Sequence, residues 1–527
     1  MTQQNIWHKF IHRAKLPLEL AGLFIAAILL FQDVGDLIIP FLTQDVPKIN
    51  NSIGEKTMFP SGEISAEKEL GMREIKEKRF NSAISYFRKS LNFKKNDPET
   101  VIFLNNSIAQ AKKVNQNRKI LEIAVSIPAH GEANVAAEIL RGVAQAQSEF
   151  NCGLAEISLA IKDTQHQLNC QGSLNGKFLQ VTIVDDKNEP ETAKKVAKYL
   201  VKQKDIIAII GHYSSPMTLS AGEIYNKNKL VAISPTSTST ILSNFSKFVF
   251  KISPSDKLAA QALFEYFEEL GKSQKVAVAY VKNNEYSESL KQEFETFLLP
   301  KKFVHQCYLN DGNFSTQDCI EQAKNQGAEV MLLVPTTKTL TNAIGVIDNA
   351  KGLKLLGGDS VYNYRVVNDA GEEANQNNLT VAIPWHRHPN SQFNQTAQKF
   401  WNAEINWRTA TSYDAAKTII KALDKSNGNY SRKKLQRILS SGDFDVEGVT
   451  GKIRFGELGD RQFLDIGKSV LVQVKPNAKS GKYEFIILEE ESRGMGRWGD
   501  GEMGRFVSST IFVFHITSFF SILTFNF

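Results

Sequence analysis

One pattern repeats between Leu121 and Pro384 and leaves few folds open to this chain. Short apolar runs stand at Leu121–Pro128, Phe178–Val184, Asp205–Gly211, Leu230–Pro235, Lys275–Val281, Glu329–Pro335 and Leu379–Pro384. Patterns with helical spacing of apolar residues separate most of them, at 191–204, 217–228, 256–271, 287–299, 316–326 and 338–350. Runs that do not alternate are strands covered on both faces. Helical crossovers between such strands bring them into parallel sheets with helices on both sides. About 370 residues exceed one hydrophobic core, so two such sheets are expected. In open α/β sheets, ligands sit beyond the carboxyl ends of the strands. Polar clusters follow the strands here, GHYSS after one and SPTSTST after the next.

The remainder divides by composition. Residues 1–15 carry Lys9, Arg13 and Lys15 and no acid, and Leu20–Phe31 is uninterrupted by a polar side chain. A further apolar patch lies at Leu37–Leu42. The segment 1–42 reads either as a signal-peptide core or as an uncleaved anchor. The absence of a small-x-small site after Phe31 favours the anchor. Both readings export the bulk of the chain. Residues 43–62 read as a polar linker. Residues 63–118 read as a small helical region in which Gly71, Ala83 and Phe87 fit the close approach of two helices. This resembles a tetratricopeptide unit, although a free-standing stack normally needs about three repeats. Residues 491–527 combine a glycine-rich repeat with an apolar stretch, Phe506–Phe527. They read as a second span or as an extension without function.

An apolar share of 42% and a charged share of 23% exclude a disordered chain. With 63 basic and 56 acidic residues, the charge of +7 is small for 527 residues and gives no footprint for nucleic acid. The chain has no G-x-S-x-G elbow, H-E-x-x-H motif or complete phosphate-binding loop, so no enzyme, cofactor or metal is expected. His386 and His388, two residues apart after a strand, read as an ordinary loop pair.

Four ordered segments carry a family likeness: VDDKNEPETAKKVAKYL (184–200), GHYSSPMTLSAGEIYNKNKLVAISPTSTSTIL (211–242), FKISPSDKLAAQAL (250–263) and VEGVTGKIRFGELGDR (446–461). Together they resemble the type I periplasmic binding proteins of the leucine/isoleucine/valine kind, over roughly 120–490. The resemblance implies two Rossmann-like lobes joined by crossover strands within 119–490. Lobe 1 would take about 119–250 and 379–440, and lobe 2 about 251–378 and 441–490. It also implies an amino acid or similar small polar ligand, delivered to the membrane subunits of an ABC transporter. A ligand-sensing scaffold whose helical region contacts a partner is the alternative.

The implied site places Ser214 and Ser215 at a helix start, with the Ser215 hydroxyl on the ligand carboxylate. An ordinary helix cap is the competing role for Ser215. Thr236 follows the next strand, Ser237 supplies backbone contacts and Thr238 a hydroxyl to the same carboxylate. Asp359, in GGDS after the apolar run LKLL, would hold the ammonium. Tyr286 would cover the ligand from the second lobe, Tyr213 would narrow the side-chain pocket, and Asn134 stands at a first-loop position. All the binding motifs follow residue 118, so removal of 1–118 is expected to spare the site. In an oxidising compartment Cys152 and Cys170 are expected to pair, as are Cys307 and Cys319, each worth up to about 3 kcal/mol.

Overall fold

The computed structural model describes residues 49–488 apart from 61, 63, 272–274, 299–302, 389, 463–468 and 479. The segments 1–42 and 491–527 lie outside these residues. Among the described residues no helix is long and apolar enough to cross a membrane.

The apolar runs become the strands of two sheets. The first is ordered β1-β3-β2-β4-β5-β6, where β1 is Asn51–Ser52, β2 Ile120–Ile127, β3 Phe178–Asp185, β4 Ile206–Ile210, β5 Val231–Ser234 and β6 Val249–Lys251. All its pairings are parallel except that of β1 with β3. In the second sheet, β7 (Val276–Tyr280), β8 (His305–Tyr308), β9 (Val330–Val334), β10 (Lys354–Gly357) and β11 (Thr380–Ile383) pair in parallel in the order β11-β10-β9-β7-β8. Two antiparallel strands, β14 (Val470–Pro476) and β15 (Tyr483–Ile487), extend it beyond β11. A small hairpin of β12 (Val446–Gly448) and β13 (Gly451–Ile453) completes the strands.

The lobe boundaries differ from expectation at two places. Thr380–Ile383 pairs with β10 and β14, so it belongs to the second sheet and not to lobe 1. Residues 444–455 pack on lobe 1: Phe444, Val446, Ile453 and Phe455 belong to its core, and Phe455 stacks edge-on to Phe250 at 5.0 Å. The chain therefore passes between lobes after β6, after β11 and after β13. The helix Trp407–Lys425 lies along Ala133–Asn151 of lobe 1 so closely that a Cβ on Gly142 would stand 2.3 Å from the Thr409 carbonyl oxygen.

The N-terminal helices, Ala66–Lys76, Phe80–Phe93 and Pro98–Gln116, are not a separate stack. Phe87, Phe103 and Leu104 share one core with β2 and β3. The expected small-against-large contact is present, since the Phe87 ring fills the space beside Gly71. Asn106 stitches the third helix to β3, accepting the Val181 N–H at 2.9 Å and donating to the Val181 carbonyl at 2.8 Å. The expected linker is also partly structural. Ser52 pairs with Ile183, and Met58 is fully buried, its N–H donating to the buried Glu99. Domains drawn at 43–62, 63–118 and 119–490 thus cut through one core.

Cys152 is bonded to Cys170 and Cys307 to Cys319. The first bridge holds the helix Leu154–Lys162 and its loop on lobe 1, and the second ties β8 to the helix Thr316–Asn325.

Candidate functional site

Both sheets point the carboxyl ends of their strands toward one cleft, which holds a cavity of about 330 Å³. The loops after β4 and β5 bring Tyr213, Ser214, Ser215, Thr236 and Thr238 from lobe 1. The loops after β7 and β10 bring Tyr286, Asp359 and Ser360 from lobe 2. A larger, open hollow of about 1130 Å³ lies beside His386, Arg387 and Lys475. Volume alone does not choose between them. The strand ends do, because they gather free backbone amides and short polar side chains in one place.

On the lobe 1 side the helix Ser215–Asn228 starts at the cavity wall with Pro216 in its first turn. Its leading amides have no carbonyl within the helix to bond, and they carry the positive end of the helix dipole. Ser214 occupies the cap position yet makes no side-chain capping bond; its hydroxyl donates to Asn188 Oδ1 at 2.6 Å. Ser215 is not the cap either. Its Oγ accepts the Ser239 N–H at 3.2 Å and joins the two hydroxyl-rich loops. Thr236 donates to the Tyr213 carbonyl at 2.5 Å.

Two expected members lie elsewhere. Ser237 is buried behind the wall, where its hydroxyl meets those of Thr218 and Ser234 at 2.8 Å each. Its N–H, expected to face the ligand, donates to Ser234 Oγ. Asn134 is exposed and lines a neighbouring cavity of about 270 Å³.

On the lobe 2 side Asp359 opens a 3-10 turn directly after β10. Tyr286 Oη donates to Ser360 Oγ at 3.0 Å and accepts the Ser360 N–H at 3.3 Å, which fixes the ring over this turn. Burial pushes the Asp359 carboxyl up to about 6, against the opposing pull of Arg408, the Tyr286 hydroxyl and the Ser360 N–H. Behind it, Asp256 is pushed up to about 7 by burial and by the Asp359 charge, and its Oδ2 has no hydrogen-bond partner. Burial likewise raises Tyr213 to about 12, so its phenol stays neutral.

The cleft also contains residues that the sequence reading passed over. Asn188 stood inside a quoted motif, just past the end of β3. Lys338 follows β9 and donates to the Asn188 carbonyl at 3.1 Å, bridging the lobes. Trp407 and Arg408 begin a helix that apolar spacing did not reveal. Further bonds cross from lobe to lobe: Ser239 Oγ to the Glu285 carbonyl at 2.7 Å and the Thr240 N–H to Ser289 Oγ at 2.9 Å.

Under the cleft floor, Ser126, Asp186 and His212 form a buried group that differs from a catalytic triad. Asp186 and Ser126 both meet His212 Nδ1, at 2.6 and 3.1 Å, and Nε2 faces Tyr225 Oη at 2.9 Å. A triad needs the serine and the acid on opposite ring nitrogens. This group instead holds the Gly211–Ser215 loop. His386, of the loop pair with His388, has both ring nitrogens against backbone carbonyls. Among the described residues no group of three or more metal-ligating side chains forms.

The residues at hand can hold a small zwitterion. Hydroxyls and helix amides of one lobe face a carboxylate and an aromatic ring of the other. Residues 155–481, more than half of the chain, match the periplasmic binding protein family, and the chain belongs to it. An amino acid binding protein of Pseudomonas aeruginosa is 30% identical over 170 residues, which are 31% of this chain and 44% of that protein. The match thus spans less than half of that relative. The Leu/Ile/Val-binding protein homolog 1 of Brucella melitensis is 24% identical over 344 residues, 63% of this chain and 88% of that one. The branched-chain amino acid transporter substrate-binding protein of Streptococcus pneumoniae, solved with isoleucine, has 20% identity and a TM-score of 0.56. It covers 70% of this chain and 100% of its own, a likeness of fold.

Proposed function

We propose that this protein is an exported solute-binding protein that captures an amino acid between its two lobes and presents it to the membrane subunits of an ABC transporter. One observation carries the reading. Ser215, with its helix start, and Thr238 line one cavity of about 330 Å³ with Asp359 and Tyr286 of the other lobe. An α-carboxylate fits the first pole, because a helix N-terminus supplies unbonded amides. An ammonium fits the second, because a buried carboxylate offsets its loss of water. Binding with lobe closure needs no bond broken. The relatives named as amino acid and Leu/Ile/Val-binding proteins support the ligand class. Two disulfides support an oxidising compartment outside the cytoplasm. Anchoring through residues 1–42 is part of the proposal. The helices at 66–116 lie within lobe 1, which removes the separate partner-binding unit that favoured a sensing scaffold.

Thermal denaturation in the presence of each of the twenty amino acids tests the reading. A ligand at 100 Kd should stabilise the protein by RT ln(1 + [L]/Kd), about 2.7 kcal/mol. No shift with any of them would remove the amino acid reading. Co-purification with transporter membrane subunits tests delivery.

A further inference from the structure

Trp407 and Arg408 stand at the start of the helix that follows the second crossover. Both side chains carry only N–H donors. They are 2% and 3% exposed, and both line the cleft cavity. Trp407 Nε1 and Arg408 Nε are buried without a hydrogen-bond partner. Of the other guanidinium nitrogens, Nη1 meets the Tyr362 carbonyl at 3.2 Å and Nη2 that of Asp359 at 3.4 Å, and the guanidinium also bonds the Tyr213 hydroxyl. The guanidinium stacks on the Trp407 ring at 4.5 Å. Among the described residues no carboxylate stands within ion-pair distance of it, and the Asp359 charge acts on it from farther off. Arg408 also forms a wall of the neighbouring cavity that contains Asn134 and Tyr362, and so separates the two spaces.

Buried N–H donors without an acceptor are costly, and a planar carboxylate matches the fork of a guanidinium. We propose that Arg408, helped by Trp407, is the specificity-determining residue of the cleft and receives an acidic group on the ligand's side chain. The ligand class is then an α-amino dicarboxylate in preference to a branched-chain aliphatic amino acid. The inference rests on the amino acid reading above. It adds a third polar contact: the α-carboxylate at Ser215, the ammonium at Asp359 and the side-chain carboxylate at Arg408. A leucine side chain would leave Arg408 Nε and Trp407 Nε1 desolvated and without an acceptor, which is how a site rejects a ligand lacking the expected group.

Calorimetric titration of the full-length protein with L-glutamate, L-aspartate and L-leucine decides the matter. At least one acidic amino acid should bind about tenfold or more tighter than leucine. Arg408→Met should weaken that acidic ligand by at least about tenfold and narrow or invert the ratio to leucine. Arg408→Lys, which keeps charge but not the fork, should fall between. Leucine binding as tightly as both acids in the wild type overturns the inference and leaves the amino acid reading standing. So does an acidic preference that persists unchanged in Arg408→Met. Absence of binding by every amino acid overturns both. The wild-type ratio stands as a test even if a variant fails to fold.

Discussion

Burial raises the Asp359 carboxyl to about 6, so mild acid removes the charge that its proposed work requires. Asp359→Asn keeps the shape and removes the charge. It should cost about 2–5 kcal/mol of amino acid binding, the range for losing one partner of a buried charged pair. Ser215→Ala should cost less, about 1.5–3 kcal/mol, with part of the loss arising from the unpinned Ser239 N–H. Titration calorimetry on both variants checks the order. Unchanged binding in Asp359→Asn would place the ammonium elsewhere. The raised pKa also fixes a pH dependence. Affinity should be near full about one unit above 6 and fall by up to about tenfold per unit as pH drops below 6, because a proton then competes with the ammonium. Stability of the ligand-free protein should move the opposite way. Between the ordinary value of 3.8 and the folded values of about 6 for Asp359 and about 7 for Asp256, the folded state binds more protons than the unfolded one. Their contribution therefore rises as pH falls from 7 toward 4. Melting temperature and Kd measured over that range should diverge. A parallel loss of both would mean that neither carboxyl is held protonated by the fold.

The elements that the sequence displayed are those whose burial is apolar. The strand runs were clearest where both faces are covered and no polar residue interrupts them, as in Ile206–Ile210 and Val330–Val334. The strands β14 and β15 were not seen, since Gln473, Lys475 and Glu484 interrupt their apolar runs. The helix Trp407–Lys425 escaped for a different reason. Its buried face includes Ser412 and also Thr409, Thr411 and Asp414, the last three held by hydrogen bonds rather than by apolar packing. Thr409 donates to the Glu138 carboxylate, and Asp414 accepts the Val449 and Thr450 N–H groups. Hydrophobic periodicity cannot find such a helix, so Arg408 stayed hidden while Asp359 and Ser215, directly after apolar runs, did not. The same helix makes a sharp prediction through Gly142. A Cβ there would meet the Thr409 carbonyl and the Tyr413 amide at 2.3 and 2.5 Å, both backbone atoms that cannot swing aside. Gly142→Ala should destabilise by about 1–3 kcal/mol or more through overpacking. It should also weaken the ligand, because the displaced helix carries Trp407 and Arg408. A melting temperature equal to wild type would show that the two helices separate without cost.

At the scale of the whole molecule, two properties follow from how the parts are joined. The first concerns truncation. Removal of residues 1–118 was expected to spare binding, but Met58, Phe87 and Phe103 are fully buried in the lobe 1 core. Lys68 pairs with both Asp97 and the buried Glu99. A chain starting at Lys119 should therefore lose cooperative melting, whereas one starting at Ile49 retains every residue of the cleft and should bind as the full chain does. The second property is closure. The bonds from Lys338 to Asn188, Ser239 to Glu285 and Thr240 to Ser289 span the two lobes around the cavity, so they exist only when the lobes are together. A ligand that touches Ser215 on one side and Asp359 on the other favours that arrangement over an open one, and its differential affinity sets the shift in population. Solution scattering should then show the radius of gyration falling on addition of saturating ligand. Lys338→Ala removes one cross-lobe bond at an exposed position and should speed ligand release while changing association little, since most differences among variants of one site appear in the off-rate. Stopped-flow kinetics reads both rates. An unchanged radius of gyration on tight binding would mean that the cleft is already closed before the ligand arrives, and that entry depends on a local opening rather than on movement of the lobes.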